Sequence, residues 1–523
     1  MKNTKRILAL VLCVLMTAGL LSISATAFAE APAQDRHVEL NIVRNTNNTT
    51  SVFSVNPAIQ YQGGASVDLG VCETLFVFND DMSDVEGILA TGYELSEDGL
   101  SWIITIRDGV TFSNGKPLTA EAVKASLEFV LSNIERFSTL LDVNSITADG
   151  QTLTITTNSV VPNLVNYLTD SNFLVFDMEE NADLDHNIIG TGAYILESMD
   201  DDGNCEMVRN ENYWRGLPIA ERVHSKCGLD ATAVSLALQS GEIDWGGINS
   251  SDVSLFTDES RYRTISTLSN GRVFYLYLNP NYTFTADPAV REALLYAFDR
   301  EAILAGVYRG SGSVTNVIFP AYSVYFDDTY AHPDFDLARA QQILADAGYA
   351  DTDGDGILEK DGEKLHLNIT CYTANSFPIL SEVLQSMLKD IGIESDILVS
   401  DAIMDDLNKG EFNIGTYGYN TLTYGECNNY LDPVYRTGGN SNFVGFSDPV
   451  VDANLEALRT ETEPAKRVEL VREIQQHIYE AHDHMYLMHV ISYTVVSSNI
   501  VETEPVFETN RGAGQFLWSF DKK

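Results

Sequence analysis

Residues 90–130 read ATGYELSEDGLSWIITIRDGVTFSNGKPLTAEAVKASLEFV. A polar turn at Ser96-Glu97-Asp98-Gly99 opens a segment in which Trp102, Ile104 and Ile106 alternate with other residues, the period-2 pattern of a half-buried strand. Phe112 is followed by a second turn, Ser113-Asn114-Gly115. Thr119 then stands where a helix N-cap belongs, with Glu121 in the first turn and Val123, Leu127 and Val130 on one face. The stretch predicts strand, turn and capped helix in that order.

Upstream, Lys2, Lys5 and Arg6 precede an almost wholly apolar run over residues 7–21, and Ala27-Phe28-Ala29 is a small-x-small cleavage site. This is the pattern of a secretory signal peptide over residues 1–29, with a mature chain starting near Glu30. Cys13 lies inside the apolar run behind Val11 and Leu12, so a lipoprotein cleavage box is not expected. No later stretch offers the apolar length of a membrane span, which predicts a soluble exported product, in a periplasm or at the outer cell surface.

About 490 residues remain, too many for one core, so two or three lobes are expected. The net charge is −43, from 32 Lys and Arg against 75 Asp and Glu. That balance excludes nucleic acid and anionic membrane as partners and is compatible with a cationic ligand. Past the leader five cysteines remain: Cys72, Cys205, Cys227, Cys371 and Cys427. An odd number forbids complete internal pairing, and there is no CxxC. Cys205 and Cys227 stand in two strand-like segments joined by a turn-rich loop, which leaves open a cross-strand disulfide or two buried thiols.

Further along, TADGQTLTITT predicts a hairpin turning at Asp149-Gly150. IIGTGAYI, from Ile188, holds a GxG without a third glycine or a P-loop lysine, and is read as a turn. RVFYLYL, from Arg272, alternates as a strand crossing between lobes. Helical stripes follow at Val290, Leu294, Ala297 and Phe298, at Leu380 through Ile391, and at Leu470, Val471, Ile474 and Ile478. Alternation of helix and strand predicts an α/β second lobe.

SEDGLSWIITIRDGVTFSNGKPLTAEAV, IIGTGAYIL, VRNENYWRG, GEIDW, LNPN, DPAVREALLYAFDREAIL, DLARAQQILADAGYADTDGDGILEKDGEKL and FSDPVVDANLEALRTETEPAKRVELVREIQQHI stand in order along the chain. Together, over residues 37–505, they resemble the family 5 solute-binding proteins of ABC importers, the extracytoplasmic receptors for peptides and nickel. VRNENYW and ISYTVVSS lie closest to the nickel-receptor branch. The resemblance implies an α/β, two-lobed periplasmic-binding-protein-like fold (type II, cluster C) with an extra subdomain in lobe I. Lobe I would comprise residues 30–80, 187–273 and 489–523, the extra subdomain 81–186, and lobe II 274–488. It further implies a monomer that traps a small-molecule ligand by hinge closure, performs no covalent chemistry and delivers its cargo to an ABC permease and its ATPase.

On that resemblance, Arg136 matches a pocket-side arginine of the nickel branch, and Tyr424 stands where the branch has a tryptophan. The branch's other arginine, expected near Ser171 or Asn172, is missing, and no histidine occurs between His366 and His477. Peptide receptors carry an acid in the loop that here reads YNTLTYGECNNYLDP, where Glu426 is available to pair with an α-ammonium and Asp432 stands behind it. Asn428 and Asn429 are candidate lining residues by position, and His489 is placed near the return to lobe I. Peptide is therefore the expected cargo, with a nickel or other metal chelate as the alternative.

Two clusters have metal-like spacing. EAHDHMYLMHV brings His482, His484, Met485, Met488 and His489 close in sequence, a set suited to a soft or borderline metal if the backbone is extended. Asp351, Asp353, Asp355 and Gly356 fit the first half of a calcium loop, but Gly362 stands where a bidentate glutamate is required; a polar turn is the competing reading. No resident cofactor is expected beyond that calcium candidate. Two other classes stand as alternatives: a solute-sensing receptor, and an extracellular hydrolase, for which neither HExxH nor GxSxG is present.

Overall fold

The computed structural model describes residues 39–44, 54–59, 63–79, 84–180, 183–218 and 220–498, with the side chains of 267–270 excepted. The leader, the mature start near Glu30, the polar loop at 45–51 and the tail beyond 498 lie outside the described residues.

The alternation read in residues 90–130 becomes a four-stranded antiparallel sheet, ordered Ala90–Leu95, Ser101–Ile106, Thr152–Thr157, Val143–Asp149. Trp102, Ile104 and Ile106 face inward while Ile103 and Thr105 face out. The Thr119 side chain accepts a hydrogen bond from the Ala122 amide at 3.3 Å and starts the helix Ala120–Asn133. Val123, Leu127 and Val130 then pack on the sheet in a core that also holds Leu153, Leu164 and Phe173. The hairpin turns at Gly150, whose φ of 62° suits a residue without Cβ.

A second sheet of eleven strands runs through the rest of the chain. Its spine is a pair of long antiparallel strands, Tyr262–Leu278 and His484–Ser497. Their ladder runs from Tyr262 opposite Ser497 to Leu268 opposite Ile491, breaks, and resumes at Val273 opposite His489. The crossing strand therefore starts ten residues earlier than its alternation at Arg272 indicates. Beyond the break, the Tyr262–Leu278 strand pairs with Ile414–Asn420, followed by His366–Tyr372 and Glu394–Ser400, the last three mutually parallel. On the other side lie Trp245–Ile248, Glu39–Val43, Arg222–Lys226, Cys205–Arg209 and Tyr194–Met199. The helix Phe377–Asp390 connects the first two parallel strands, and Ile403–Asn408 connects back to the third. The order thus reverses between His366–Tyr372 and Ile414–Asn420. In open α/β sheets such a reversal opens a crevice at the carboxyl ends of the strands.

The structure takes one of the two alternatives at Cys205 and Cys227, qualifies the reading of 482–489, and gives the turn at IIGTGAYI a physical cause. Cys205 and Cys227 are free thiols. Cys205 lies opposite Ser225, two residues short of Cys227, and both sulfurs donate to the Gly203 carbonyl, at 3.5 and 3.2 Å, rather than to each other. The 482–489 segment does not alternate simply. A bulge at Leu487 interrupts the ladder, so Met485, Leu487 and Met488 share one core while Tyr486 joins another. At IIGTGAYI, the glycines make room for a neighbouring chain. A Cβ on Gly192 would stand 2.2 Å from the Gly70 carbonyl, and one on Gly190 2.1 Å from that of Val71.

Candidate functional site

Beyond the strand Ile414–Asn420 the chain makes a tight loop with two consecutive left-handed residues, Tyr424 (φ 60°) and Gly425 (φ 66°). For a tyrosine that conformation costs about 1–2 kcal/mol. The surroundings supply the compensation. The Tyr424 side chain is 4% exposed and buried in the core of the four-stranded subdomain, beside residues some 250 positions away in sequence. Its hydroxyl donates to Asp170 Oδ2 at 2.6 Å and accepts from Arg136 Nη1 at 3.3 Å. Its ring lies 5.2 Å from that of Tyr167, and its carbonyl accepts from Asn166 Nδ2 at 3.3 Å. Arg136 also donates to Asn172 Oδ1 at 2.9 Å and lies 3.7 Å from Asp170 Oδ2. The guanidinium is thus already faced by a buried carboxylate, and Asn172 stands where the nickel branch would have its second arginine.

Glu426 continues the same docking. Its Oε1 accepts from Asn163 Nδ2 at 2.6 Å, and its Oε2 meets Arg467 Nη2, with both charged side chains 3% exposed. Burial pushes the Glu426 carboxyl upward, and the Arg467 guanidinium and the Asn163 amide pull it part of the way back. The acid nominated for a ligand ammonium therefore has a resident cation, and an incoming ammonium would share it. Asp432, behind it, pairs with Arg436 and Arg459.

Asn428 opens the helix Asn428–Tyr435, and its Oδ1 is buried without a hydrogen-bond partner among the described residues. His489 lies elsewhere, at the break of the crossing strands opposite Val273. It is 5% exposed, and neither ring nitrogen has a hydrogen-bond partner of good geometry among the described residues. Burial pulls its pKa down to about 4, against a small opposing pull from the backbone at Arg272 and Gly271. The structure thus joins Arg136, Tyr424 and Glu426 along one docked loop, and places His489 at the strand crossing instead.

Asp170, Asn163, Asn166 and Arg467 were not anticipated. Asn163 and Asn166 carry a signal in hindsight: PNLVNYL sets single polar residues into an apolar run, and polar groups drawn towards a core need partners. Arg467, three residues into the helix Pro464–Ala481, reads like any solvated helix charge.

A concavity of about 350 Å³ lies where the sheet order reverses, lined by Arg272, Tyr372, Asn375, Asp401 and Tyr417 among others. The metal-like clusters fare differently. His482 takes a left-handed φ of 52° at the end of its helix, and His484 is buried against Asp483, Nδ1 to Oδ1 2.6 Å. Among the described residues the only metal-type grouping is Asp351, Asp353, Asp355 and Glu359. The Lys364 ammonium sits on Asp353 and Asp355, and Glu359 Oε2 accepts from both the amide and the hydroxyl of Thr352. Asp351 accepts from the Gly354 and Gly356 amides, so each of the four acids has a partner within the loop.

Residues 84–442 match the profile of the bacterial extracellular solute-binding proteins, family 5. The chain is 28% identical over 400 residues to the nickel-binding protein NikA of Staphylococcus aureus, covering 75% of this chain and 77% of that protein. It is 25% identical over 444 residues to the oligopeptide-binding protein AppA of Bacillus subtilis, covering 80% and 81%. Its fold superposes on the crystal structure of a nickel ABC transporter protein from Bacillus halodurans with a TM-score of 0.78, at 28% identity, covering 92% of this chain and 98% of that one. No helix among the described residues is long and apolar enough to cross a membrane. A profile spanning most of the chain, a matching two-lobed α/β fold and relatives aligned over most of their length converge, and the chain belongs to the family 5 bacterial extracellular solute-binding proteins.

Proposed function

We propose that this protein is the exported substrate-binding component of an ABC importer. It captures a small solute, a di- or oligopeptide, between its lobes and delivers it to the permease and its ATPase; it acts as a monomer and catalyses no reaction. One observation carries the reading. A loop of one half, Leu422–Glu426, is seated among Arg136, Asn163, Asn166 and Asp170 of the other, while the sheet is continuous between the halves through two crossing strands. On this reading those contacts belong to the closed arrangement. A ligand that adds contacts to both faces therefore biases the hinge, and moving it from 1:99 to 99:1 takes about 5.5 kcal/mol of differential binding.

Peptide is favoured over chelate because Arg136 is already balanced by Asp170, leaving little net positive charge for a chelate's carboxylates. A metal-chelate receptor is the second reading, supported by His489, a buried imidazole beside the hinge whose ring nitrogens make no hydrogen bond of good geometry among the described residues. Titrating short peptides and nickel–histidine complexes side by side, with small-angle scattering to follow compaction, separates the two. Peptide binding with compaction supports the first reading. Tight chelate binding with inert peptides replaces it with the second, and a tight ligand without compaction removes the closure mechanism.

A further inference from the structure

A cavity of about 460 Å³ lies beside the docked loop, walled by both halves of the molecule. Asp84, Tyr93, Asn163 and Asn166 come from the four-stranded subdomain and the segments flanking it. Tyr322, Tyr325 and the Glu426–Arg467 pair come from the other half.

The charges of this lining can be counted. Glu426 and Arg467 cancel, so Asp84 leaves the lining with one net negative charge. Asp84 is exposed and accepts a hydrogen bond from the Val85 amide at 2.7 Å. Next come the acceptors. Asn163 spends an amide N–H on Glu426, and Asn166 spends one on the Tyr424 carbonyl. Their side-chain oxygens accept no hydrogen bond among the described residues, so each has an acceptor to offer a ligand. Three tyrosines supply electron-rich faces, and Leu422, Pro464 and Val468 supply apolar surface. A net negative charge, amide oxygens, aromatic faces and an aliphatic wall together suit one kind of group: a cation with N–H donors on an alkyl stem.

We propose that this cavity is a subsite for an alkylammonium or alkylguanidinium group, the side chain of a lysine or arginine in a bound peptide. The peptide as carrier rests on the function proposed above; the chemistry of the cavity does not. Because both halves contribute walls, the subsite exists only in the closed form, and a basic side chain seated there favours closure.

The experiment has two arms. In the first, calorimetry compares a short lysine-containing peptide with the same peptide carrying norleucine. In the second, ligand-observed NMR compares n-butylguanidinium with its neutral isostere n-butylurea. Each is run on the wild-type protein and on Asp84→Asn. The charged member of each pair should bind about five- to tenfold more tightly. Asp84→Asn should bring the two members to within about twofold, since it removes the one uncompensated charge among the described lining residues. The whole-chain charge of −43 attracts any cation, but one neutralisation scarcely alters that field, so a lost preference is local to the cavity. Butylurea binding as well as butylguanidinium, or a preference that survives Asp84→Asn, overturns the subsite. Inert peptides alongside an Asp84-dependent butylguanidinium signal leave the subsite standing and remove the peptide reading instead.

Discussion

Replacing Arg467 with methionine tests whether the docked loop rests on its buried ion pair. Arg467 meets Glu426 Oε2 and also donates to the carbonyls of Leu458 and Glu461, each at 3.0 Å, at a site where both charged side chains are 3% exposed. Methionine fills much of the volume, but it leaves a buried carboxylate with the Asn163 amide as its remaining partner. Breaking one side of a buried pair costs about 3–5 kcal/mol, so Arg467→Met should lower the unfolding free energy by that amount at pH 8. Glu426→Gln should cost less, because arginine keeps its two carbonyl acceptors. The double variant should recover part of the loss, because no charge is then left stranded. The sign with pH is fixed as well. Without Arg467 the folded carboxyl is raised further above its unfolded value, so the folded state binds the extra proton and the variant gains stability as pH falls. Urea unfolding followed by circular dichroism at pH 8 and pH 5 reads both effects. A deficit below about 1 kcal/mol, or one that does not shrink at pH 5, would refute the account of this pair.

Tyr424→Phe removes the donor to Asp170 and should weaken ligand binding about five- to tenfold through the closed form, with a larger radius of gyration in scattering of the unliganded protein. His489 is held near pKa 4 when folded against about 6.5 when unfolded, so the unfolded state takes up the proton first. Stability is therefore lost as pH falls from about 6.5 towards 4, by up to ~3 kcal/mol, and His489→Gln should flatten that part of the pH–stability curve measured by urea titration. Gly192→Ala puts a Cβ 2.2 Å from the Gly70 carbonyl, and the backbone shift it forces should lower the melting temperature by about 1–3 °C in calorimetry, the usual cost of overpacking spread over a chain of this length. Glu426→Gln should weaken an ammonium-bearing ligand by about 1 kcal/mol relative to an acetylated analogue, as read by calorimetry, since the carboxylate is shared with Arg467; equal losses for both would show that the carboxylate serves the loop and not the ligand.

Much of the fold is legible because it rests on short-range pattern. Trp102, Ile104 and Ile106 alternate, Thr119 caps, and Val123, Leu127 and Val130 repeat at helical spacing, so strand and helix follow from residues a few positions apart. The ordered motifs extend that local reading to a family, and the family brings the two-lobed architecture with it. The alternation at Arg272 marks the crossing strand but not its start at Tyr262, since the break in the ladder interrupts the pattern. The bulge at Leu487 likewise hides in the sequence, because one extra residue shifts every later side chain to the other face.

Tertiary structure alone decided the partners. Arg136, Tyr424 and Glu426 could be nominated one by one, yet nothing local says that Asp170 faces the arginine or that Arg467 holds the glutamate. Nor does spacing tell that Cys205 and Cys227 turn towards one carbonyl. The reason is physical. Secondary structure answers to neighbours within a turn or two, whereas the charge state and availability of a buried group answer to whatever the folded chain brings against it. For Tyr424 and Glu426 those partners stand some 250 residues away or on the far helix at Arg467, so the sequence determined which residues could bind, and the packed chain decided which of them already had a partner.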